Sequence, residues 1–165
     1  MSSVKTPEEL FLHELEDIYD AEHRFLKALP TMAKGSEDPH LAKAFEEHEE
    51  QTQMQIENLA KVFESLGEKP KRIACYGAQG LVKEYEHFVE EGPSPSVLTL
   101  FSVGAGQKVE EYEICSYKDL SQMANLMGKD DIVTLLQANL EQAEAAAEKL
   151  ETIGEKLNKA TIKAS

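Results

Sequence analysis

A chain of 165 residues with 31 acidic and 17 basic side chains, a formal charge of -14, repels a nucleic-acid phosphate backbone, and no consecutive basic block offsets the repulsion. Its 2 cysteines stand in no metal-like spacing and its apolar residues form no run that could span a bilayer, which excludes a disulfide framework, a thiolate zinc site and a membrane helix. What is left is a domain rich in Glu, Lys, Ala and Leu, whose 9 glycines and 6 prolines mostly punctuate periodic segments: a single all-α unit over residues 1–165. The first residues, Met1-Ser2-Ser3-Val4-Lys5-Thr6-Pro7, carry no apolar signal core, so a reduced cytoplasmic setting is expected.

Thr6-Pro7-Glu8-Glu9 supplies a capping hydroxyl, a proline at the first helical position and a Glu three residues after the cap, which opens a long helix running to about Lys34. Its apolar stripe is Phe11, Leu15, Ile18, Glu22, Phe25, Leu29 and Met32. The fourth member is a carboxylate where the period demands an apolar side chain. An unpaired buried carboxylate costs several kcal/mol, so Glu22 calls for a proton, a cation or a metal.

Asp38-Pro39 repeats the cap-and-proline device and opens a second long helix, closed by Gly67 with Pro70 beyond. Its stripe of Leu41, Phe45, His48, Thr52, Gln55, Leu59, Val62 and Leu66 is polar in the middle. Two helices of similar length joined by a short turn lie antiparallel, which sets Glu22 level with His48 to Thr52.

Lys71 to Gly92 reads as a shorter helical crossover, and Ser94-Pro95-Ser96 caps a third long helix, from about Val97 to Met127. A stripe of Val109, Glu113, Ser116, Leu120, Met123 and Met127 again contains a core-facing acid. Gly104 and Gly106 each cost about 1 kcal/mol against Ala inside a helix, which implies a close helix approach, as in dimer packing. After Gly128 a fourth long helix runs from about Asp130 to Lys159, with Leu136, Leu140, Ala143, Ala147, Leu150 and Leu157 inward. Levelled about Gly128, Glu113 faces Ala143 and Ala147, which offer no ligand.

Glu22 and Glu113, with His48, Thr52 and Gln55, have the chemistry of a dinuclear carboxylate site, since iron and manganese accept oxygen and imidazole ligands projected from facing helices. The competing reading is a hydrogen-bonded polar layer in which His48 neutralises an acid and no metal binds. Tyr19 and Tyr112 stand near the two acids in sequence and are candidates to hold a ligand's second oxygen. His48-Glu49-Glu50-Gln51-Thr52 lacks the second His of a zinc-protease helix, and Glu84-Tyr85-Glu86-His87 reads as a solvated surface pair. No phosphate loop, nucleophile motif or small-molecule substrate is indicated.

Leu15-x-Asp17-x-Tyr19-x-Ala21-Glu22, Phe45-x-x-His48-x-Glu50-x-Thr52-x-x-Gln55, Cys75 followed by Gly80-Leu81-x-x-Glu84, and Gln107-Lys108-Val109-Glu110-x-Tyr112-Glu113-Ile114-x-Ser116-Tyr117 together resemble the YciE/YciF family of ferritin-like bacterial stress proteins. The likeness covers nearly the whole chain. It implies a ferritin-like antiparallel four-helix bundle, two hairpins joined by a long crossover with a short extra helix, and a homodimer. The wider superfamily carries two irons between its helices, which here implies Glu22, His48, Glu50, Glu110 and Glu113 as ligands for iron or manganese. The chain departs from the family pattern where relatives carry Glu-Glu and then Asp in the last helix, since Gln142, Ala143 and Ala147 stand there, and the His beside Glu110 is replaced by Glu111. Two expectations follow. One is a reduced metal site with metal-handling or oxidoreductase chemistry; the other is a closed vestigial site without metal in a non-catalytic dimer that acts as a structural or interaction module.

Overall fold

The computed structural model describes residues 4–164, so Met1 to Ser3, the first part of the stretch read above as lacking a signal core, lie outside the described residues. Five helices follow in order: α1 (Pro7–Gly35), α2 (Pro39–Ser65), α3 (Tyr76–Glu90), α4 (Pro95–Leu126) and α5 (Asp130–Ala164). The expected starts of α1 and α2 hold for the expected reason. Thr6 Oγ1 accepts from Glu9 N–H at 3.2 Å while the Glu9 carboxylate accepts from Thr6 N–H at 3.1 Å, and Asp38 accepts from the backbone of His40 and Leu41. Gly67, Gly92 and Gly128 take the left-handed conformation that ends a helix, with φ of 75°, 70° and 68°.

The crossover helix begins later than its composition suggests. Residues 71–75 lie extended across α1 because α1 offers them better partners than a helix would: Lys71 pairs with Glu16, Arg72 with Asp20, and Cys75 N–H donates to Asp20 Oδ2 at 2.9 Å. Cys75 then caps α3, its sulfur accepting from Ala78 N–H. On α3, Glu84 pairs with Lys108 and His87 with Glu91 at the surface, as expected of a solvated pair.

The two hairpins, α1–α2 and α4–α5, pack so that α1 lies against α4 and α2 against α5, while α2 and α4 face each other across the diagonal with little contact. Every neighbouring pair is antiparallel, and α3 leans on α1 and α4, giving the ferritin-like four-helix arrangement. Two apolar clusters fill the bundle. One contains Phe11, Leu15, Ile18, Phe63, Tyr117 and Leu136; the other contains Leu29, Met32, Leu41, Phe45, Val103 and Leu150. On α2 the stretch between them, His48 to Gln55, is polar and buried on its inner side.

Gly106 and Gly104 part company. A Cβ at Gly106 would sit 2.8 Å from Phe45 and 3.0 Å from Leu150, so this chain's own packing accounts for that glycine. Nothing lies within 4 Å of a Cβ at Gly104. The buried stripe of α4 is also rotated from its expected line: Tyr117, Leu120 and Ala124 are buried, whereas Ser116, Met123 and Met127 are only half-buried.

Candidate metal centre

Three helices bring four ionisable groups into the layer between the clusters. α1 contributes Glu22, α2 contributes His48, and one face of α4 contributes Glu110 and Glu113, three residues apart and therefore adjacent on the helix. The three acids are 0% exposed and His48 is 3% exposed. His48 Nδ1 stands 2.9 Å from Glu110 Oε1, at ion-pair distance but without hydrogen-bond alignment, and its Nε2 stands 3.4 Å from Glu113 Oε1. Among the described residues, ligand atoms of His48, Glu110 and Glu113 all fall within 4.8 Å of one another.

Several oxygens in this layer, among the described residues, make no hydrogen bond. Both oxygens of Glu110 and one each of Glu22 and Glu113 are buried and make no hydrogen bond. Such groups are uncommon in folded proteins, and a cluster of them facing one small volume has the chemistry of a cation site. Tyr117, fully buried, donates its hydroxyl to Glu22 Oε1. Thr52 Oγ1 donates to the carbonyl of His48 at 2.8 Å, fixing the α2 turn that carries the imidazole.

The electrostatics follow from crowding three acids around one imidazole. Burial, then the neighbouring charge of Glu113, pushes Glu22 well above the carboxylate range, against the pull of the Tyr117 hydrogen bond. Burial and Glu113 push Glu110 up to about 7, with His48 opposing. For His48, burial disfavours the charged ring, but Glu110 and Glu113 outweigh it and raise the imidazole well above its ordinary value. Without metal, the layer is therefore held by protons and one imidazolium.

Glu22, His48 and Glu113 thus meet as their helical positions predicted, with Glu110, implied only by the family likeness, beside them, and Glu50 does not join them. Two residues beyond His48, it lies about 200° round the helix and is exposed. Tyr19 and Tyr112 also fall elsewhere. Tyr19 packs on Phe63 and His23, while Tyr112 donates to Asp17 at 2.9 Å and touches Cys75. The oxygen-holding phenol is instead Tyr117, four residues after Glu113 and three before Leu120, which the expected stripe passed over in favour of Ser116.

The α5 wall carries amides where the other helices carry acids. Asn139 is 0% exposed, three residues from Leu136 and four from Ala143, and went unnoticed because its neighbour Leu140 fitted the stripe. Its Nδ2 donates to the Gln55 carbonyl at 3.2 Å, Gln55 Nε2 donates back to the Asn139 carbonyl at 3.4 Å, and Asn58 donates to Asn139 Oδ1 at 2.8 Å. Ala143 is buried and Gln142 half-buried, so α5 supplies no carboxylate from those two positions.

Residues 6–163 match the family described as a domain of unknown function, DUF892. The chain is 36% identical over 149 residues to protein YciF of Escherichia coli (strain K12), covering 90% of each chain. The crystal structure of that E. coli stress protein superposes with a TM-score of 0.89 at 35% identity, covering 93% of this chain and 98% of the other. YcfI of Rhodopseudomonas palustris gives the same TM-score at 41% identity, covering 91% and 96%. A Xanthomonas campestris protein shares the fold at a TM-score of 0.75 and 22% identity, over 96% and 98% of the two chains. With this agreement over nearly its full length, the chain belongs to the DUF892 family and is a YciF-type ferritin-like bundle.

Proposed function

We propose that this protein is a stress-related metal-binding bundle whose core takes one divalent ion, iron or manganese, on His48, Glu110 and Glu113, with Glu22 as a fourth ligand. The observation that carries the reading is the set of buried oxygens on Glu22, Glu110 and Glu113 that make no hydrogen bond and lie around His48. The donor set of one imidazole and three carboxylates suits iron or manganese rather than a thiolate-seeking metal. A bound ion of either kind supplies redox or Lewis-acid chemistry. The chain's own part is to hold the ligands in a dry layer, with Tyr117 orienting Glu22 and the α2 turn orienting His48.

Binding displaces protons, because Glu22 and Glu110 are both raised. Manganese at a hundredfold excess over its Kd should stabilise the fold by about 2.7 kcal/mol, which raises the Tm by roughly 5–10 °C. The rise should vanish in the Glu110→Gln, Glu113→Gln double variant and shrink as the pH falls below about 7. Only trace metal after reconstitution with iron and manganese would end the metal reading.

The second reading, a non-catalytic module with a closed site, is favoured by one observation, the absence of acids at Gln142 and Ala143 on α5. A cytoplasmic homodimer belongs to the same proposal, supported by the family likeness. Cell fractionation and a solution mass check it; a single-chain mass would remove the dimer.

A further inference from the structure

Two spaces meet on the seam between α2 and α5. The outer one is a groove of ≈ 590 Å³ whose lining includes Asp38, His40, Lys43, Glu148 and Lys156. The inner one, ≈ 110 Å³, is lined by Ala44, Gln51, Ala146 and Leu150 and also by His48 and Glu110. Glu47, Ala145 and Lys149 line both. The inner cavity thus reaches two of the ligand residues, one of which, Glu110, is fully buried with neither oxygen hydrogen-bonded. At the neck, Lys149 of α5 pairs with Glu47 of α2, and Lys43 stands 3.8 Å from the same acid.

We propose that the α2–α5 seam is the entry path for a divalent cation and that the Glu47–Lys149 pair is its gate; the inference rests on the metal reading above. Four features support it. The inner cavity has room for several water molecules, enough for an ion that has shed part of its hydration shell. Its polar lining, Gln51, His48 and Glu110, offers successive oxygen and nitrogen donors in place of lost water. Alanines at 145 and 146 leave the α5 side of the seam narrow in side-chain volume, where larger residues would fill it. On the α3 side of the bundle, by contrast, neither the open groove of ≈ 740 Å³ beside Gly77, Leu81 and Tyr112 nor the apolar space of ≈ 20 Å³ among Phe25, Leu29, Leu81 and Tyr85 is lined by a ligand residue.

The gate is a half-exposed ion pair, so it opens at small cost. When Lys149 swings away, Glu47 Oε2 is released at the mouth to take the incoming ion and pass it inward towards Glu110 and His48, with Lys43 still beside Oε1. The pair therefore sets the rate of exchange and leaves the affinity of the inner site unchanged.

The test is rapid mixing of metal-free protein with cobalt(II), followed by its visible absorption, and a chelator chase of the loaded protein. Lys149→Ala should speed both loading and release about fivefold, the scale of one surface pair. Ala146→Phe, which plugs the inner cavity, should slow both by about tenfold or more. In both variants the final cobalt stoichiometry and Kd should match the wild type, with helical content and melting checked by circular dichroism. Tight cobalt binding at wild-type rates in both folded variants would overturn the path while leaving the metal site standing. A wild type that binds no cobalt would overturn the site and the path with it. If Ala146→Phe does not fold, Lys149→Ala alone decides: unchanged rates overturn the gate.

Discussion

His48→Leu should lower the stability of the metal-free protein by about 3–5 kcal/mol at pH 7.5, the cost of removing one partner from a buried ion pair. Leucine fills much of the imidazole's volume, so the loss measures charge rather than a cavity. Without the ring, Glu110 and Glu113 face each other with no cation, and Glu22 loses the one nearby charge that favours its ionised form. The loss should shrink as the pH falls to 5.5. Glu110 takes its proton at about 7 in the folded chain and near 4.5 when unfolded, so between those values the native state holds the extra proton. Removing the imidazolium, which opposes that proton on Glu110 and on Glu22, makes the variant hold both more firmly, so acid restores more stability to the variant than to the wild type. The raised His48 works against this in the wild type, its own contribution being full below about 6.5. Urea unfolding of both proteins at the two pH values checks this. An equal loss at both would show that His48 acts through packing.

Ala143→Glu should cost the metal-free protein several kcal/mol, roughly 3–5, because it places an acid at a position 1% exposed in a wall that lacks a cation. Under the metal reading, manganese should return most of that loss and bind at least about tenfold more tightly, since the new carboxylate restores charge on the one long helix that supplies no ligand. If the layer is instead a closed vestige, the destabilisation should persist at any manganese concentration. Paired melts with and without metal separate the two outcomes, and a variant as stable as the wild type in chelator would show that the α5 wall is more open to water than its burial implies.

These residues also show where sequence reasoning reached and where it stopped. Glu22 and Glu113 stood out because each interrupts an apolar helical period, and His48 because the polar middle of α2 fell level with them. Glu110 came only through the family likeness, since an acid doubled by Glu111 looks like surface. Glu50 came the same way and proved exposed. The His48-x-Glu50 spacing itself sets Glu50 apart, because residues two apart lie on opposite sides of a helix. Tyr117 was missed for another reason: the expected stripe ran through Ser116, and nothing in a period reveals that the next residue's hydroxyl has a carboxylate to meet. The late start of α3 was illegible too. It is decided by Glu16 and Asp20, more than fifty residues earlier, and a local propensity cannot see partners that distant.

The buried amide exchange between Gln55 and Asn139 has a consequence for how α5 is aligned. Leucines and alanines spaced by three and four repeat every turn, so on apolar grounds alone α5 sliding along α2 by one turn, about 5.4 Å, would still meet a greasy surface. Such a slip would break all three amide hydrogen bonds that join Asn139 to Gln55 and Asn58, the two with Gln55 in a buried place where water cannot replace them. The amides therefore act as a register pin, of the kind a single buried Asn provides in a coiled coil. Ten residues further along α5, that pin is what brings Lys149 opposite Glu47 and sets the two alanines before the cavity. A neutral pair with no role in ligation thus governs whether the seam and the acid layer are in line.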